Sequence, residues 1–143
     1  MSDFHGKSTI DDCKVIALPK IHHPNGNLTL VQNHQEVQFD IARVYYIYDV
    51  PSGADRGGHS HKECLSLLIA VSGSFDVVLC DGRSMRKFTL NRPDQALYIA
   101  PGIWRTLHNF SSAAVCLVIA SHAYDANDYV RDYQQYISMV NSK

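Results

Sequence analysis

The sequence predicts an all-β chain, a small barrel or sandwich that ends in one amphipathic α-helix and forms a single domain over residues 1–143. Three observations carry this reading. Short apolar runs recur between turn signals from about residue 13 to 122. The apolar spacing then becomes helical between about 125 and 140. Within the strand-like part, His59-Ser60-His61 sets two imidazoles one residue apart, and on a β-strand that puts both rings on one face.

Taken in order, residues 13–17 and 27–32 read as short strands, divided by the turn residues Pro24-Asn25-Gly26. Residues 41–48 form a strand rich in Tyr and β-branched side chains, ended by Pro51-Ser52-Gly53. The His pair lies on 58–61, and 64–72 and 73–80 are apolar runs divided at Gly73. Asp81-Gly82 is a tight hairpin signal leading into 83–90. Residues 95–99 follow, then a Pro101-Gly102 turn, then strands 104–109 and 114–121. At the end, Tyr129, Tyr133, Tyr136, Ile137 and Val140 recur at helical spacing behind Asp125 and Asp128, which predicts a helix over 125–140 with an aspartate cap and a Tyr stripe packed on the barrel. Residues 1–10 read as a poorly defined arm.

Composition excludes several classes. Net charge is -1 with no basic block, which argues against nucleic acid as a partner. No apolar run reaches the length of a membrane span. The first residues lack the apolar core of a signal peptide, so a cytoplasmic protein is expected. Cys13, Cys64, Cys80 and Cys116 form no C-x-x-C pair, and free structural thiols in a reducing compartment are the expectation.

The His pair admits two chemistries, half of a metal site or a pair of proton-transfer groups. The pattern around it resembles the cupin superfamily, whose metal-binding members carry G-x5-H-x-H-x3-4-E-x6-G and then P-x-G-x2-H. Gly53, His59, His61 and Gly73 match the first motif, but Leu65 or Ser66 stands where the carboxylate ligand belongs. In the second, Arg105 stands in place of the histidine, and a guanidinium has no lone pair for a metal. His108 is three residues further on and faces the other way on a regular strand. Two of four ligands are therefore missing, and acid-base chemistry is favoured, because imidazole both takes and gives a proton near neutral pH.

Four segments narrow the resemblance: Arg43-Val44-Tyr45-Tyr46-Ile47, Arg56-Gly57-Gly58-His59-Ser60-His61-Lys62, Leu97 through Trp104, and the tail Tyr124-Asp125 to Asp128-Tyr129-Val130-Arg131-Asp132-Tyr133. From about Leu28 to Tyr136 the chain is similar to the sugar 3,4-ketoisomerases that act on thymidine-diphosphate-linked 4-keto-6-deoxyglucose. The resemblance implies a cupin-type β-barrel or jelly roll, a homodimer, no metal or other cofactor, and a place in deoxysugar biosynthesis that feeds 3-amino sugars of surface polysaccharides such as lipopolysaccharide O-antigen.

It also implies roles. His59 is the catalytic base, Tyr45 donates to the developing oxyanion, and His61 shuttles or orients protons. Periodicity alone leaves open whether Tyr45 or the Tyr46–Tyr48 face meets the cavity, and the family match selects Tyr45. Arg43 and Arg56 are candidates for binding the pyrophosphate. Trp104 is a wall for base or sugar, or else barrel core, and His108 joins the substrate-binding candidates. Asn25 stands where many relatives have Arg or Tyr, so His22 or His23 is the alternative source of that contact. Arg105 occupies a position that relatives fill with His or Arg and points to a gluco-configured product. A 3,5-epimerase on the same nucleotide sugar and a non-catalytic sugar-nucleotide-binding module are the competing functions.

Overall fold

The structure, a computed structural model, describes residues 8–142. A 3-10 turn, Ile10–Asp12, is capped at Thr9 and precedes β1 (Lys14–Ala17), β2 (Lys20–Ile21), β3 (Leu28–Thr29), β4 (Arg43–Ile47), β5 (Arg56–His61) and β6 (Ser66–Ser72). Then follow β7 (Phe75–Cys80), β8 (Met85–Leu90), β9 (Gln95–Ile99), β10 (Trp104–His108), β11 (Val115–Ala120), a second 3-10 turn Ala126–Asp128, β12 (Tyr129–Val130) and α1 (Tyr133–Val140). Two antiparallel five-stranded sheets, β1-β9-β6-β11-β4 and β12-β5-β10-β7-β8, form a jelly-roll barrel, and β2–β3 is a separate hairpin.

Alternation explains the core. Leu68, Ala70, Phe75, Val77, Leu79, Leu97, Ile99, Leu107, Cys116 and Val118 point into the space between the sheets. The other face of β6 and β9 is also covered: Leu67, Ile69 and Ala96 pack under Leu18, Val37 and Phe39. Strands buried on both sides need apolar residues at every position, which is why Leu67 to Ala70 read as a continuous run rather than an alternation. On the outside of the second sheet, Trp104, Cys80 and Val130 pack against Tyr136 and Val140 of α1. The Tyr136 hydroxyl donates to the Gly102 carbonyl at 2.7 Å, with the Cys80 carbonyl at 3.0 Å, and so pins the helix to two strand ends.

Several expectations are corrected. The strand expected over 27–32 shrinks to Leu28–Thr29, and Lys20–Ile21 is its unforeseen partner. The helix does not start at 125. Asp125 caps the 3-10 turn, Tyr129–Val130 adds a strand to the edge of β5, and Asp132 caps the α-helix by accepting from the Gln135 N–H at 3.1 Å. An i, i+4 Tyr spacing thus covers two elements, and only its Tyr133 to Val140 part is helical. The expected arm is partly ordered: Ile10 is buried, and its N–H donates to Asp81 Oδ2 at 2.9 Å, while residues 1–7 lie outside the described residues. All four cysteines are buried and free.

Candidate active site

Strand β5 enters through Arg56-Gly57-Gly58, where its pairing with β10 shifts register: Arg105 opposes His59, and the next residue, Thr106, opposes Gly57. This is a β-bulge, and Gly57 sits at φ +92°, where a side chain is strained and a Cβ would press on Leu107 Cδ1 at 3.0 Å and the Arg105 carbonyl at 3.1 Å. The bulge brings the Gly57 carbonyl to 3.0 Å from His59 Nδ1. A carbonyl only accepts, so Nδ1 carries the proton and Nε2 presents a lone pair. Nε2 is buried without a partner among the described residues.

Past the bulge the pleat is regular, and His59 and His61 share a face with ring centroids 4.8 Å apart. His61 is fully buried, and its Nδ1 lies 2.9 Å from Asp128 Oδ2. Strand β12 lies along β5 with Tyr129 opposite His61, so the Tyr129 ring packs 4.4 Å from His61 and 5.0 Å from His59. Its hydroxyl accepts from Arg43 Nη1 at 3.2 Å, and Arg131 lies over its ring at 4.1 Å. From the facing sheet, β4 directs Arg43, Tyr45 and Ile47 inward, with the Arg43 guanidinium 5.1 Å over the Tyr45 ring.

Arg105 is the unusual member. It is 2% exposed inside the barrel, opposite His59 on the neighbouring strand. Its Nη1 donates to Ser66 Oγ at 3.2 Å across the interior, and Nε and Nη2 have no partner in the described residues. Ser66, one of the two candidates for the carboxylate position, and Arg105, at the histidine position of the second motif, therefore bond to each other. A buried cation with no carboxylate partner is costly, and an anion placed beside it would offset that cost.

The electrostatics follow. Burial first, then the Arg105 charge, push His59 down from 6.5 to about 3. The same two causes push His61 down, followed by the neighbouring His59. Both rings are neutral at pH 7. Burial raises Tyr45 above its ordinary value against the pull of Arg105 and Arg43, so it stays a phenol and a donor. His61, Cys64 and Asp128 place donor atoms within 4.8 Å of one another, the one grouping of this kind among the described residues. Nδ1 of His61 and both Asp128 oxygens are already engaged, the second oxygen accepting from the Glu63 N–H at 2.7 Å.

A cleft of about 430 Å³ opens between the edges of β4 and β5–β12, lined by Tyr45, Arg56, Gly57, His59, Tyr129 and Arg131 among others. His61, Arg43 and Arg105 stand behind this lining. The structure does not bring the remaining expected residues to it. Trp104 packs 5.3 and 5.5 Å from Tyr133 and Tyr136 on the outer face of its sheet, so it is neither a wall of this cleft nor barrel interior but part of the core between sheet and α1. His108 shares that outer face, with Nδ1 3.0 Å from Asp55 and Nε2 2.7 Å from Thr106 Oγ1. Asn25 is exposed at the tip of the β2–β3 hairpin, where its N–H donates to His23 Nδ1. A second, more apolar hollow of about 410 Å³, lined by Ile16, Val37, Phe39, Leu67 and Tyr98, holds neither histidine of β5.

Asp128, Tyr129 and Arg131 are residues that reasoning from the sequence did not place in the site. The signal was present in the tail segment 124–133, but a helix over that segment conceals it, because only an extended strand can pair along β5 and set Tyr129 opposite His61.

Comparison with known proteins agrees with this arrangement. The family model described as FdtA: WxcM-like, C-terminal, matches residues 11–141. A TDP-4-oxo-6-deoxy-alpha-D-glucose-3,4-oxoisomerase of Aneurinibacillus thermoaerophilus is 39% identical over 131 residues, 90% of this chain and 94% of the relative. The solved TDP-quinovose 3,4-ketoisomerase WlaRB of Campylobacter jejuni is 44% identical, with a TM-score of 0.85 over 90% of this chain and 98% of that one. The 3,4-ketoisomerase QdtA of Thermoanaerobacterium thermosaccharolyticum, solved as a mutant with TDP-4-keto-6-deoxyglucose, is 36% identical, with a TM-score of 0.89 over 92% and 95% of the two chains. With a matching family model over nearly its whole length and a barrel that sets a neutral His59 beside Arg105, the chain belongs to the sugar 3,4-ketoisomerase family.

Proposed function

We propose that the chain converts dTDP-linked 4-keto-6-deoxy-D-glucose to its 3-keto isomer by proton transfer through an enediol, in the cytoplasm and on the way to a 3-amino sugar. One observation carries this reading: His59 Nε2, a neutral and unpartnered acceptor, lies on the strand position opposite Arg105, an unpartnered buried cation. That pair is what proton abstraction next to a ketone requires, a base and a fixed positive charge for the resulting enolate.

The C3 proton is acidic because C3 adjoins the C4 carbonyl. His59 Nε2 takes it, the C3–C4 double bond forms, and negative charge gathers on the C4 oxygen. Imidazolium formation is disfavoured in the resting site by burial and by Arg105. The enediolate appears in the same step, so the charge that penalises the free base stabilises the transition state. Tyr45 donates to the C4 oxygen. The C3 hydroxyl proton passes through His61 to the C4 oxygen, and His59 returns its proton to C4 as the C3 carbonyl forms. Every proton that leaves one carbon or oxygen arrives at its neighbour, so no external acid, base or redox group is consumed. Arg56 and Arg131 in the cleft lining, with Arg43 behind them, carry the positive charge that a pyrophosphate needs, Arg131 ordered on the Tyr129 ring. Leu65 or Ser66 in the carboxylate position and Arg105 in the histidine position favour a reaction without a metal or other cofactor.

A homodimer suits the surface. Val44 and Tyr46 on the outer side of β4 are 54% and 60% exposed, β4 is an edge strand, and the β2–β3 hairpin exposes Ile21 and Leu28. No helix among the described residues is long and apolar enough to cross a membrane. The experiment that tests the reading is proton NMR of the product from dTDP-4-keto-6-deoxyglucose. A ketone at C3 is expected, and a ketone retained at C4 with inverted C3 and C5 identifies a 3,5-epimerase instead. Binding without turnover identifies a sugar-nucleotide-binding module.

A further inference from the structure

We infer that Asp128 is a positioning residue for the reaction: it fixes the tautomer of His61 so that the Nε2 lone pair, not an N–H, faces the barrel interior. The inference rests on the isomerase reading for its consequence in catalysis, but its geometric basis is independent. Asp128 Oδ2 lies 2.9 Å from His61 Nδ1, and a carboxylate only accepts, so Nδ1 carries the proton. His61 Nε2 is fully buried and unpartnered among the described residues, 4.8 Å ring to ring from His59.

The carboxylate cannot turn away. Its Oδ1 accepts from the Glu63 N–H at 2.7 Å, and the Asp128 carbonyl accepts from the Lys62 N–H at 2.8 Å, so the two residues after His61 clamp Asp128 at both ends. Strand β12 starts at the next residue, which places Tyr129 over both imidazoles. The site therefore presents two Nε2 acceptors on one strand face, one oriented by a backbone carbonyl at Gly57 and the other by a side chain. In the reaction, the O–H bond of the C3 hydroxyl breaks as its proton joins His61 Nε2. The imidazolium is held by Asp128, and the same proton then bonds to the C4 oxygen. With the opposite tautomer, an N–H would face the C3 hydroxyl and could not accept from it.

Asp128→Asn tests this without changing shape. The Glu63 N–H continues to select an oxygen, so the amide of the new residue presents its NH₂ to His61 Nδ1 and drives the imidazole to the Nε2–H tautomer. Nitrogen-15 NMR of the wild-type chain with labelled histidine is expected to show His61 protonated at Nδ1 and bare at Nε2. In the variant these assignments exchange, and kcat falls about 100-fold while KM stays within threefold. A wild-type His61 protonated at Nε2 overturns the inference, as does a variant with turnover within threefold of wild type. If the variant does not fold, the wild-type spectrum decides alone. A wild-type chain that fails to isomerise the sugar refutes the functional reading and leaves the tautomer result standing by itself.

Discussion

Two neutral buried histidines make this protein sensitive to mild acid. In the unfolded chain the imidazole of His59 titrates near 6.5, and in the folded barrel it titrates at about 3. As pH falls below 6.5 the unfolded state takes up the proton and the folded state does not, so folding loses free energy over the window from 6.5 down to about 3. Above 6.5 the contribution is complete and flat. Between pH 7.5 and pH 5 the loss from His59 amounts to about 2 kcal/mol. His61 adds a loss of the same sign, its pKa also being lowered by burial and by Arg105. The carboxylates with lowered pKa, Asp76, Asp81 and Asp94, start from 3.8 and contribute almost nothing until pH drops below 5. Urea unfolding at fixed protein concentration, repeated from pH 8 to pH 5, measures the effect. Wild type is expected to lose several kcal/mol, and His59→Asn to lose about 2 kcal/mol less over the same range. Equal losses in the two proteins would show that His59 is not held neutral by the fold.

Other outcomes follow from the same geometry. Arg105→Met removes a buried charge that lacks a carboxylate partner, so the urea midpoint should rise by the equivalent of about 1–2 kcal/mol while kcat falls roughly 100-fold; a stability loss with full activity would contradict the role assigned to that charge. Trp104→Phe trims a core side chain under α1 and is expected to cost about 1–2 kcal/mol of stability with KM for the nucleotide sugar unchanged within twofold. A large rise in KM would return Trp104 to the substrate wall.

The sequence made much of the barrel legible because its signals are local. Asp81-Gly82 turns one hairpin, Gln95–Ile99 is a strand as expected, and the alternation across His59-Ser60-His61 sets both rings on one side. What was hidden depends on contacts far apart in the chain. The spacing of Tyr129, Tyr133 and Tyr136 is compatible with one helix, and only pairing of Tyr129 with His61 pulls the first of them into a strand. The same pairing delivers Asp128 to His61 from 67 residues away. Trp104 followed a parallel course: its strand was legible, but which face of the sheet it occupies was decided by α1, which supplies a cover for an indole on the outside. In the same way, Ser66 and Arg105 each looked like an isolated departure from a ligand motif, and the fold shows them to be one hydrogen-bonded pair.

The role proposed for His59 is to carry a proton from C3 to C4 of the sugar. Conversion of dTDP-4-keto-6-deoxyglucose in deuterated water, followed by proton NMR, tests it most directly. The expected result is a 3-keto product that keeps the C3 protium at C4 in those turnovers where His59 does not exchange its proton with solvent, no deuterium at C5, and a loss of roughly 1,000-fold in rate for a folded His59→Asn variant. Unchanged turnover in that variant, or deuterium at C5 with the ketone still at C4, would contradict it.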